Sequence, residues 1–263
     1  MAPGILRNAI SFLAGAKMSM ALFILILIFY FSIAGENSFI PAGKILDYAF
    51  SLYSPENMFL FIFVHESPYH LLQNIFSLLA YAIILEFALA SVDVLLIFLI
   101  SAIAGAFAYL LFNNNVAILG ASTGTMGLAA AAFILSPKKA IAATIVVFAF
   151  LYFIATPLVG MYISSQKQDI SQDRAVAVKE LDVAVKDGNM QKQNEVVREI
   201  LVIEKRQDQL ETNETFAETT PTSNGAHAFG ALFGIAYLFA FRRQQLHESM
   251  KKAHAFIGAH LPK

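Results

Sequence analysis

Ser122 stands among small residues in the stretch LGASTGTMGLAAAA, residues 119–132, where the polar run Asn113-Asn114-Asn115 gives way to an apolar helix. A serine hydroxyl becomes a nucleophile when a base takes its proton, and a helix N-terminus favours the negative charge that then develops. A lone serine in an apolar helix more often bonds back to its own backbone or to a neighbouring helix, so a chemical reading needs partners. The sequence offers an imidazole on another helix, His227, within Asn224-Gly225-Ala226-His227-Ala228-Phe229-Gly230. His70 and Asn74 are four residues apart and so share a helix face. Two side-chain donors on one face suit an oxyanion hole; the plainer alternative is a polar pair stitching two helices together. Glu86 stands at the inner end of the same span, where charges cost about 2.5–3.5 kcal/mol, and His65 lies just outside it.

Two other chemistries can be set aside. His65-Glu66-Ser67-Pro68-Tyr69-His70 looks like HExxH, but zinc binding there requires histidines at i, i+4. Here they are five apart, roughly 140° around a helix, with Pro68 between them, so no metal is expected. GASTG at residues 120–124 fits G-x-S-x-G, but that elbow needs a preceding strand, and no strand pattern is present.

The elements that must position these residues are membrane spans. The 263 residues are 57% hydrophobic with mean hydropathy +0.62, and the apolar residues come in long blocks, as in a polytopic membrane protein. Net charge −1 does not point to nucleic acid. The absence of cysteine removes thiol chemistry and disulfides. Spans are expected at residues 18–34, 69–87, 92–112, a helix opened by Ser122 and ended by Pro137, 140–162 and 225–241. Residues 18–34 also resemble a signal peptide, but are read as a retained span. Residues 36–58, with Tyr48, Phe50 and Tyr53, form a mixed, interfacial loop. Arg7, Lys17, Lys138, Lys139, Arg242, Arg243, Lys251 and Lys252 fall on one side, with Lys44 opposite, which makes both termini cytoplasmic. The sixteen residues from Ser122 to Lys138 cover about 24 Å, and the fifteen from His227 to Arg242 about 22 Å, so serine and histidine are expected at one depth. Gly230 and Gly234 form GxxxG, and Gly120, Gly124, Gly127 and Ala131 are expected to form a small-residue face, which lets helices approach closely.

Residues 164–223 break the pattern. They are charged, with Val178, Leu181 and Val185 at helical spacing, a turn signal at Asp187-Gly188-Asn189, and Val197, Ile200, Leu201 and Glu204 resuming the period. They read as an amphipathic helical hairpin on the outer side with a flexible tether at 215–223. Two uses stand open: a solvated insert that touches only itself, or a role in gating or partner binding.

His65-x4-His70-x3-Asn74 with downstream Glu86, Gly120-Ala121-Ser122, and Ala226-His227-x2-Gly230-x3-Gly234 occur in order on the second, fourth and sixth spans. Together they resemble the rhomboid family of intramembrane serine proteases, over about residues 18–163 and 224–242. The resemblance implies an all-α, six-helix membrane core in residues 1–163 and 224–242, interrupted by the hairpin at 164–223 and followed by a basic cytoplasmic tail at 243–263. It implies Ser122 as nucleophile, His227 as general base and then acid, and an oxyanion hole of the Ser122 backbone N–H with His70 and Asn74. His65, Glu86, Gly120, Gly124, Gly230 and Gly234 would be structural support. It implies no cofactor, single-span transmembrane substrates in the lipid bilayer, and a plasma-membrane location; the hairpin adds a possible outer-side partner. A catalytically silent relative that binds transmembrane helices is the alternative, and a channel or transporter is a third. Three departures from the family pattern stand out: Thr123 replaces the last glycine of GxSG, tryptophan is absent, and the hairpin is long.

Overall fold

The computed structural model describes residues 15–34, 39–219 and 223–260; Arg7 and Glu36 lie outside them. The described chain is helical: α1 (Lys17–Ile33), α2 (Ala42–Tyr48), α3 (Pro68–Glu86), α4 (Ser91–Phe112), α5 (Ser122–Leu135), α6 (Pro137–Lys186), α7 (Met190–Thr219), α8 (Asn224–Phe241) and α9 (Arg243–His260). Among them α3, α4, α6 and α8 are long and apolar enough to cross a membrane, whereas α1 and α5 are apolar but shorter. With its apolar helices, the chain is an integral membrane protein.

Helix starts follow local chemistry. Ser67 accepts the His70 N–H (3.2 Å) ahead of Pro68 at the first position of α3, and Ser223 accepts the Ala226 N–H (3.2 Å) at the start of α8. The start of α1 is satisfied from afar: Glu86, at the end of α3, accepts the backbone N–H groups of Met18 (2.9 Å) and Ser19 (3.0 Å), and the Ser91 hydroxyl donates to it (2.7 Å). One carboxylate therefore joins three helix ends.

The centre of the bundle is α4, α5 and α8, held at backbone contact. A Cβ added at Gly105 of α4 would lie 2.8 Å from the Gly230 nitrogen, one at Gly230 would collide with the Thr123 carbonyl oxygen, and one at Gly234 with that of Gly127. A Cβ at Gly127 would collide with Ser101. The small residues are needed because three helices share one axis of approach. The expected small-residue face on α5 is corrected at Gly120, which precedes the helix and packs on His70, whereas Gly124 lies against Phe98 of α4, including its carbonyl oxygen. At the far end from Ser122, buried Asp93 accepts the Tyr237 hydroxyl (2.7 Å) and pairs with Arg242 (2.5 Å). Ser249 of α9 donates to the Ile134 carbonyl (2.6 Å) at the end of α5.

The helix α6 is attached more loosely. Only 17% of its apolar window is buried, against 44% for α4. Phe76 and Phe150 rings (3.9 Å between centroids) and the Tyr81–Thr144 hydroxyl pair (2.8 Å) tie it to α3. A π turn at Leu151–Ala155, followed by Pro157, interrupts its regular hydrogen bonding. Beyond this turn α6 continues to Lys186 as the first arm of a hairpin, turns at Gly188 (φ 64°) and returns as α7, whose start Asn189 caps by accepting the Lys192 N–H (3.0 Å).

The hairpin seam differs from the expected one. Ile170, Ala177 and Ala184 face Val196, Ile203 and Leu210 at seven-residue spacing, with Ile163, Leu181 and Ile200 alongside, the repeat of an antiparallel coiled coil. Val178, Val185, Val197 and Leu201 are exposed instead. The apolar frame is displaced by one position because alanines in the seam let the helices approach, and small alanines signal burial less strongly than valines do. The tether is corrected too: residues 215–219 are the last turn of α7, and 220–222 lie outside the described residues.

Candidate functional site

Residues 118–120 are clamped before α5 begins. Phe50 and Ile118 exchange two backbone hydrogen bonds (2.9 and 2.8 Å), and the Gly120 N–H donates to the Phe61 carbonyl (2.8 Å). The region read from sequence as a mixed loop, residues 36–58, contains α2 and one short 3-10 turn, and together with the 3-10 turn Phe61–Phe63 just beyond it forms the mould for the turn that delivers Ser122. Gly120 has φ +96°, a conformation that glycine adopts freely. A Cβ there would also lie 2.7 Å from the His70 ring and 3.5 Å from that of His65. Ser122 follows as the first residue of α5.

His65 is fully buried beneath this turn, and its Nε2 accepts the Ala121 N–H (3.3 Å). An accepting Nε2 requires the neutral Nδ1–H tautomer, assigned here from the hydrogen-bond geometry. Burial, reinforced by His70 nearby, pushes the His65 imidazole below its ordinary value in agreement. His65 therefore holds the serine turn through its backbone. Its ring meets His70 edge-on at 4.9 Å between centroids.

His70 is oriented from both sides, by Gly120 and by Glu66, whose carboxylate contacts His70 Nδ1. Burial alone would raise Glu66, but the His70 charge and hydrogen bond outweigh it and hold the carboxyl below its ordinary range. Asn74, 4% exposed, donates one amide N–H to the His70 carbonyl (3.0 Å), leaving the second for another acceptor.

Ser122, His227, His70 and Asn74 line one cavity of about 510 Å³, between α3, α5, α8 and the loosely held α6, a volume typical of ligand sites, about 300–1,000 Å³. Ser122 and His227 face it without being hydrogen-bonded to each other. Thr123 does not enter it. Its methyl wedges between Gly105 and Gly230, and its hydroxyl is buried with no partner. The residue that departs from the GxSG pattern thus packs the three-helix junction. Glu86 lies among the other helix ends, apart from the cavity. Among the described residues no group of three or more His, Asp or Glu comes together as a metal-ligand set.

Three features escaped the sequence reading. Glu66 stands four residues before His70, a spacing that was weighed only for metal binding. Ser101-x3-Gly105 is the small-residue pattern of α4, matching those noted on α5 and α8. Gln73, Tyr81 and Thr144 add polar groups to the cavity wall, but Thr144 carried no local signal.

Residues 54–174 match the family model described as Rhomboid domain. No curated protein and no solved structure matches the chain.

Proposed function

The chain belongs to the rhomboid family, and from that premise we propose that it is an intramembrane serine endopeptidase that cuts transmembrane substrates through a Ser122–His227 dyad. The observation that carries this reading is the shared cavity: a serine at a helix start and a histidine from a different helix face the same space as His70 and Asn74. In the proposed reaction His227 removes the hydroxyl proton as Ser122 Oγ attacks the scissile carbonyl, then returns it to the leaving amine; water releases the acyl-enzyme by the same route. The dyad's hydrogen bond forms when substrate enters, as catalytic hydrogen bonds often tighten only in the complex.

The Ser122 backbone N–H, His70 and Asn74 would bind the oxyanion, each donor being worth about 2.7–4 kcal/mol. Glu66 bears on this directly. Its carboxylate holds the ring at Nδ1, and in this reading the ring is thereby oriented so that Nε2 serves the oxyanion.

The same proposal takes α1, α3, α4, α5, the first part of α6 and α8 as six spans. Both termini are cytoplasmic, the plasma membrane is the location, and single-span proteins are the substrates. The hairpin adjusts access through α6 without supplying chemistry. A silent helix-binding relative is the second reading, favoured by the unformed bond between Ser122 and His227. Cleavage of a single-span test substrate in liposomes separates the two. The protease reading expects Ser122→Ala and His227→Ala each to abolish product while the protein stays folded, and wild-type turnover in Ser122→Ala would defeat it.

A further inference from the structure

The hairpin seam uses one stripe of each helix and leaves another apolar stripe uncovered. Val178, Val185, Met190, Val197 and Leu201 are 49%, 55%, 66%, 43% and 59% exposed. Val178 and Val185 each follow a seam residue, Ala177 and Ala184, and Val197 follows Val196. At about 100° per residue they sit beside the seam, and because the two arms run antiparallel these sides form one flank. The Arg174–Glu204 ion pair (3.2 Å) spans the same flank.

The flank is ordered along its length. From the tip downward the α6 arm presents Val185, Asp182 (paired with Lys186, 2.6 Å) and Val178, then Arg174 and Lys167. The α7 arm presents Met190, Val197 and Leu201, then Glu204, Asp208 and Glu211. One arm is basic at its base and the other acidic, and both carry valine, methionine or leucine toward the tip, where the charge of Asp182 is met by Lys186 of its own arm. Counted from Gly188, Val185 and Met190 lie three and two residues away, Val178 and Val197 ten and nine, Lys167 and Asp208 twenty-one and twenty. Matching groups therefore stand at matching heights.

We propose that a second copy of this chain covers this flank, making a four-helix bundle about a two-fold axis parallel to the hairpin. All copies enter a membrane in the same orientation, so their hairpins stand parallel. A two-fold rotation about that direction sets the α6 arm of each copy against the α7 arm of the other at equal height. Val178 then meets Val197, Val185 meets Met190, and Lys167 and Arg174 meet Asp208 and Glu204, a self-complementary contact of the kind two-fold symmetry demands. The opposite flank also exposes valines, Val176, Val183 and Val202, but it lacks this order. There the same rotation opposes Glu180 to Glu195, two like charges eight and seven residues from Gly188. The proposal is independent of the catalytic reading.

Cysteine cross-linking tests it cleanly, because the chain has no cysteine of its own. Two differently tagged full-length copies, one Val178→Cys and one Val197→Cys, are co-expressed in membranes and oxidised; a mixed-tag disulfide dimer is expected. The pair Val176→Cys and Val202→Cys, on the opposite flank, should give none. Adding Lys167→Glu and Arg174→Glu to the first copy should lower dimer yield about tenfold, and adding Glu204→Lys and Asp208→Lys to the second should restore it. Equal yields on both flanks, no mixed dimer, or cross-links only to other proteins would each overturn the two-fold assembly. So would charge reversal without effect.

Discussion

The bundle around Ser122 and the hairpin beyond α6 are built from the same secondary structure by opposite means. In the bundle, α4, α5 and α8 meet backbone to backbone, and Gly105, Gly127, Gly230 and Gly234 leave no room for a Cβ. In the hairpin, α6 and α7 are held by a side-chain seam one stripe wide, joined by Phe39 from before α2, while valines on both flanks stay exposed. Apolar surroundings give helices little hydrophobic reason to associate, so close packing and internal hydrogen bonds must hold them. Outside the apolar helices a heptad seam suffices. The first design fixes Ser122 and His227 relative to one another, whereas the second tolerates change and leaves surface for a partner.

The contrast breaks most visibly at Gly230. Gly230→Leu should prevent a stable bundle, because its side chain has no space between Thr123 and Gly105 and overpacking costs about 1–3 kcal/mol or more. Loss of the monodisperse detergent-solubilised protein is the expected readout, and a protein as thermostable as wild type would refute the close-packing account. The hairpin counterpart is milder. Ile203→Ala should cost about 2 kcal/mol, at the low end for buried isoleucine, and should act locally. Hydrogen exchange should rise in residues 164–219 while protection of α4 and α5 is unchanged, whereas a rise across both regions would mean that the two share one cooperative unit. Smaller still, Val178→Ser should alter the stability of a single copy by no more than about 0.5 kcal/mol, measured in dilute detergent.

A change beside the cavity sharpens the comparison in another direction. Glu66→Gln keeps the shape of the His70 contact but removes the charge, so it should lower turnover about tenfold with little change in melting temperature. Turnover equal to wild type would leave Glu66 as packing only.

Much of this was legible before any coordinates. The four-residue spacings His70–Asn74 and Gly230–Gly234 fix helix faces by geometry, and counting along two helices from basic residues brought Ser122 and His227 to one depth; both line one cavity. Glu86 was visible as a charge in an apolar helix, but its task of satisfying the start of α1 was not, because that contact spans 68 residues. The Asp93, Tyr237 and Arg242 cluster was hidden for the same reason. The hairpin was visible as an element, and Leu181 and Ile200 do pack along its seam, yet Val178, Val185 and Val197 each stand one residue from the buried Ala177, Ala184 and Val196. Glu66 was read only as part of a failed metal motif. The α6 π turn left no local pattern beyond Pro157.

The central claim is that Ser122 is a nucleophile activated by His227. Labelling with a fluorophosphonate probe followed by peptide mapping tests it without knowledge of any substrate. The account predicts covalent modification at Ser122 that is lost in Ser122→Ala and strongly slowed in His227→Ala, with both variants folded. Absence of labelling in the folded wild-type protein, or labelling that persists in Ser122→Ala, would contradict it.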